Sequence, residues 1–336
     1  MLFGLRSRLD NKRIEKARTQ QRIAVVDEAI EHLVDGIDPN MRLVTGYKKK
    51  LWQAVDKALI YIAWLVDTIP GPVDCNRKSF ATDPLVNAIF ATAGDIQKVF
   101  SQSEAVRAFF NDAMNVNLDD CYALMCMEKK EHSGFGMELE GDIVKKDVPQ
   151  VSVNFFAHNI MAPAATEKEV RSCMKKCIFD ALISNTFEFV MANHLREAGT
   201  DEYRKVLDRR YKANQAWGQE LTDLIFSIRA DALSGKATSV DAATEQNENS
   251  AKNNHLETPG DRLDRVLDLL AHPENMVRLN HISMNLTRLG VKVKEGSSQS
   301  SNKIEFTEIE INDVWRRIIV LVRYPRKEMM SKENLF

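Results

Sequence analysis

Glycine is scarce in this chain, 14 residues in 336, and none of it falls at a spacing that cradles a phosphate. Gly134 to Gly136 gives only Gly-Phe-Gly, which excludes a P-loop, a dinucleotide fingerprint and the glycine-flanked serine of hydrolase elbows. Cysteine is sparse as well. Cys75, Cys121, Cys126, Cys173 and Cys177 are an odd number in a long chain, which argues against a secreted disulfide framework and for a reducing cytoplasm. No long hydrophobic run exists: Ala58 to Val66 is nine residues, against the roughly 20 that span a bilayer. The N-terminus lacks the apolar stretch of about 7 to 15 residues and the cleavage site of a secretory signal. Nor is there an excess of one charge. With 46 basic and 48 acidic residues the formal balance is −2, so the chain is not a globally basic nucleic-acid binder.

What the sequence does contain is helical periodicity. Ile14, Ala17, Ile23, Val26, Ile30, Leu33 and Val34 recur mostly at spacings of three, four or seven, and Gly36 with Asp38-Pro39 ends the pattern. Val44, Tyr47, Leu51, Val55, Ala58, Ile62 and Leu65 form a near-heptad seam that stops at Ile69-Pro70-Gly71-Pro72, so an antiparallel helical hairpin is expected. Asp83-Pro84 reads as a helix start, and Ser101 with Glu104 and Thr166 with Glu169 read as capping boxes. A helix from Thr166 should run to Leu195 and break near Gly199, and another should follow from Asp201 to Ile228.

The period changes to two between these helices. Tyr122 to Glu128, Met137 to Ile143 and Val151 to Ala157 predict a three-stranded meander with a turn at Ser133-Gly134. Residues 237–255 hold Val240 as their only large aliphatic side chain, too little apolar surface to offset the entropy of ordering them. Beyond, Thr258-Pro259 begins a short helix, and strands are expected at about Arg278 to Leu289, Lys303 to Ile311 and Trp315 to Tyr324. Ile318 to Val322 is apolar on both faces and should be central. The expected architecture is α+β. It has a bundle-like domain of long antiparallel helices over 1–234 carrying a β-meander at about 119–161, a disordered linker over 235–257, and a small C-terminal α/β part with antiparallel strands over 258–336.

Chemistry-bearing residues do not converge. Cys173 and Cys177 share a helical face, yet two thiols are not a metal site, and buried cysteine is common packing material. The Glu-x-x-His pairs of a di-iron bundle are absent. His158 and His194 are the candidate general bases, but without a visible nucleophile or orienting carboxylate the reading of each as a strand-edge or helix-end residue is favoured. No catalytic residue, metal or cofactor is assigned. The one charged feature with a sharp reading is the N-terminus, where Met1 to Arg22 contains seven Arg or Lys against two acidic residues. Leu2 and Phe3 beside Arg6, Arg8, Lys12 and Arg13 suit an anionic membrane surface, while phosphate backbones would feel the same attraction. Arg316, Arg317, Arg323, Arg326 and Lys327 alternate on a strand and read as edge protection.

The expectation is therefore a cytoplasmic assembly, adaptor or scaffold protein acting through helix-mediated association. Its partner would be a second copy or another protein, and it would sit at the periphery of a membrane surface if the basic segment binds lipid. The alternatives are an enzyme whose site is assembled from residues distant in sequence, and a sequence-independent nucleic-acid binder using the basic N-terminus.

Overall fold

A computed structural model describes residues 2–140, 143–198, 258–294, 299–312 and 315–331. The helix expected from Asp201 and the linker over 235–257 lie outside them. The described chain is mixed helix and sheet, and the sheet is antiparallel apart from one two-residue strand. It divides into two compact units, residues 1–63 with 177–276 and residues 64–176 with 277–336. No described helix is long and apolar enough to cross a membrane.

The first unit is helical among its described residues. Helix α1 (Leu2–Ile37) buries Val26, Ala29, Ile30, Leu33, Val34 and Ile37, the three-and-four spacing that one helical stripe requires. A 3-10 turn at Pro39–Leu43 leads into α2 (Tyr47–Thr68), whose Leu51, Val55, Ala58 and Ile62 are buried as the seam predicts. The Asp38 carboxylate caps that turn by accepting from the Asn40 amide at 3.0 Å, and it pairs with Arg262 Nη1 at 2.5 Å. Arg262 lies on the helix Pro259–Ala271, started by the predicted Thr258, whose hydroxyl accepts from the Asp261 amide. The long helix Glu167–Ala198 gives this unit Ile178, Leu182 and Phe187. A Cβ on Gly36 would lie 2.6 Å from Ile183 Cγ2, so the α1 backbone approaches this helix too closely for any larger residue.

The second unit is a curled sheet with short helices packed on one face. After strand β1 (Val73–Asp74) come α3 (Arg77–Thr82), α4 (Pro84–Ile89), α5 (Ala93–Gln102) and α6 (Glu104–Asn111), then β2 (Asp120–Glu140) and β3 (Ile143–Ala164). The helix Glu167–Ala198 is α7 and Pro259–Ala271 is α8; β4 (Val277–Leu286), β5 (Asn302–Ile311) and β6 (Trp315–Pro325) complete the chain. Strand order is β3-β2-β6-β5-β4, with β1 parallel to the far end of β6.

Three expectations need correction here. The meander is a two-stranded hairpin, because Ser133-Gly134 passes straight through β2 opposite Val151 and Gln150, and the reversal falls between Glu140 and Ile143. A Ser-Gly pair permits a turn but does not force one. The expected cap at Ser101 falls two residues later: Ser101 is fully buried inside α5, and Ser103 caps α6 by accepting from the Val106 amide. Ile23, placed in the buried stripe of α1 by its periodicity, is 44% exposed.

β2 pairs with β6 from Asp120 opposite Pro325 to Met127 opposite Ile318, so strands from either side of residues 199–257 are hydrogen-bonded neighbours. Ile318 to Val322 is buried on both faces, as its composition requires. β3 carries three bulges, with Asp147, Ala157 and Ala162 at positive φ of 57°, 52° and 50°. Bulges sharpen the twist of the strand that holds them, and this sheet curls until its edges meet. Val153 donates to the Gly290 carbonyl and Lys292 to the Val151 carbonyl, both at 2.8 Å, while Val293 donates back to Asn285 at the end of β4. Phe155 of β3 and Phe306 of β5, with two strands between them in the order, consequently touch edge to face at 5.5 Å. Phe100, Ile96, Val106 and Phe110 from α5 and α6 complete this core.

Candidate functional site

Among the described residues, the first unit carries an open groove on its surface. From Lys16 to Val25 every residue of α1 is exposed, nearly three turns with no face covered. Beside it α2 presents Ile60, 54% exposed. Between the two helices runs an open groove of about 350 Å³, with Arg18, Gln21, Arg22, Val25 and Val26 on one wall and Asp56, Leu59, Ile60 and Ala63 on the other. Arg22 closes one part of it, donating Nε to Asp56 Oδ1 at 2.8 Å and Nη2 to Oδ2 at 2.5 Å. The hydrogen bonds and charge of Asp56 raise the Arg22 pKa and fix the guanidinium as a cation. Val25, Leu59, Ile60 and Ala63 form an apolar floor between polar rims.

The sequence-predicted residues are placed as follows. Leu2, Phe3, Arg6, Arg8, Lys12 and Arg13 lie on the helical backbone of α1, and their side chains are outside the described part. His158 stacks on Phe90 at 5.0 Å with its Nε2 2.8 Å from the Ile89 carbonyl at the end of α4. Burial lowers its pKa, which favours the neutral ring. This contact satisfies a helix-terminal carbonyl. The His194 side chain is outside the described part. Cys173 and Cys177 are half-buried and, like the other three cysteines, not in a disulfide; among the described residues no three His, Cys, Asp or Glu side chains group as metal ligands. Burial pushes the Cys121 and Cys126 thiols up to about 12, so they are packing groups, not nucleophiles.

Sequence reasoning missed two polar constellations in the first unit. His32 Nε2 lies 2.6 Å from Asp180 Oδ1, and the His32 ring is tilted against Phe179. Glu31 gathers Lys48 Nζ at 2.7 Å, Arg42 Nη2 at 2.7 Å and the Tyr47 hydroxyl at 2.7 Å around the α1–α2 corner. The groove left a faint signal: Val25 and Ile60 fall outside the apolar stripes of their helices. Comparison of the chain with protein-family models, with characterised proteins and with solved structures found no match.

Proposed function

We propose that this is a non-enzymatic assembly or scaffold protein whose long-helix unit acts through self-association. The observation that carries the reading is the open α1–α2 groove, an apolar floor of Val25, Leu59, Ile60 and Ala63 left accessible where α1 is exposed on every face. Helical segments of this length gain most of their stability from packing an apolar face, so a partner helix is the natural complement. Sedimentation velocity of the full chain should give a mass above the 38.2 kDa monomer that grows with concentration. Val25→Asp with Ile60→Asp should return it to monomer without changing its circular dichroism, since burying each side chain contributes about 1.5–3 kcal/mol. An unchanged assembly in this variant removes the reading.

A second reading places the same helix against an anionic membrane surface at the cytoplasmic side, favoured by a helical backbone that begins at Leu2 within the basic segment. Full-length protein should then float with anionic vesicles better than a chain beginning at Gln20. Replacing Arg6, Arg8, Lys12 and Arg13 with Gln should abolish the difference.

A further inference from the structure

We infer that the occupant of the groove is α1 of a second copy of this chain, packed antiparallel about a two-fold axis level with Ile23. The inference rests on the self-association reading and adds the partner and the register. On α1, Arg18, Gln21 and Val25 line the groove and Glu28 continues their row three residues beyond it, at intervals of three, four and three, a heptad seam on one side of the helix. All four are exposed. Arg18 and Glu28 make no ion pair or hydrogen bond among the described residues, although Arg22 between them is held by Asp56.

A two-fold axis makes the contact self-complementary, so each pairing occurs twice. With the axis level with Ile23, Arg18 of one copy stands opposite Glu28 of the other at both ends of the contact. Gln21 stands opposite Val25 in the two middle layers. The partner's Val25 then reaches the floor formed by Val25, Leu59, Ile60 and Ala63, completing an apolar centre closed at either end by an ion pair. Shifting the pairing by one turn towards the N-terminus would set Arg18 opposite Ala24 or Val25 and forfeit both ion pairs, so the charges select this register over its neighbour. The charge pattern also selects the antiparallel over the parallel arrangement, in which Arg18 would face Arg18 and Glu28 would face Glu28.

Sedimentation velocity with two opposite charge reversals tests this on the full chain. Arg18→Glu alone and Glu28→Arg alone should each weaken self-association about tenfold or more, because each replaces two attractive pairs with two repulsive ones. An equimolar mixture of the two variants should recover wild-type strength as a heterodimer, since one chain then offers two acidic positions to two basic ones. Full association of either single variant, or a mixture no tighter than its components, overturns the register while leaving self-association standing. A wild-type chain that stays monomeric at every concentration overturns both.

Discussion

Glu31 shows how a single residue fixes the corner between the first two helices. Hydrogen bonds from Lys48, then Arg42, then Tyr47 hold its carboxylate down to about 2, against an ordinary value near 4.5. A carboxylate depressed in the folded state stabilises the fold above its unfolded pKa and loses that contribution as pH falls from about 4.5 through about 2. Thermal melts should therefore show an acid limb in that window, and Glu31→Gln should flatten it. Gly290 is the opposite case, a residue chosen for what it lacks. Its φ is +75°, and a Cβ there would sit 2.9 Å from the Val153 carbonyl oxygen in the contact that closes the sheet. Gly290→Ala should cost about 1–3 kcal/mol in denaturant unfolding. A smaller loss would mean that the sheet edges do not depend on this approach.

At the level of elements, local signals were legible and long-range ones were not. Thr166 caps its helix as its spacing to Glu169 requires, and Thr258 and Asp83 each cap a helix just ahead of a proline. β4, β5 and β6 lie within a few residues of the alternating and apolar runs that predict them. These follow from interactions over three or four positions. Ser133-Gly134 failed because a turn-compatible dipeptide is overruled when the strands on both sides find partners, and nothing local announces β3 as that partner over its full length. Periodicity likewise marked Ile23 as apolar-side but not whether anything covers it, so the groove became visible only with α1 and α2 side by side. The bulges of β3 were equally silent, since alanine carries no signature of positive φ. Ala157→Gly and Ala162→Gly should be neutral or stabilising by up to about 1 kcal/mol in chemical denaturation, where glycine in a regular strand is destabilising. The loop that ends β6 makes a stronger demand. Arg326 donates to the carbonyls of Leu118 at 2.8 Å, Phe110 at 3.0 Å and Asn115 at 2.6 Å, with its guanidinium over the Phe110 ring. Only a planar fork reaches three acceptors in this way, so Arg326→Lys should be destabilised nearly as much as Arg326→Ala, by roughly 2–4 kcal/mol.

Across the whole molecule, the pairing of β2 with β6 ties together the stretches before and after residues 199–257. Composition predicts accessible backbone at 237–255, and limited proteolysis should cut there first. The two fragments should still co-elute under native conditions and separate only in denaturant, because the shared ladder and the core beneath it do not depend on an intact chain. The same ladder sets a schedule for biosynthesis. When the ribosome has released β2 and its hairpin partner β3, the other edge of β2, along Cys121, Ala123, Met125 and Met127, has no strand beside it until β6 emerges about 200 residues after β2. At roughly 5–20 residues per second that is a delay of about 10–40 seconds. The nascent polypeptide thus carries an unfinished sheet edge through most of its translation. Stalled chains ending before Val277 should be bound by holdase chaperones or aggregate, and release should coincide with synthesis of the last sixty residues.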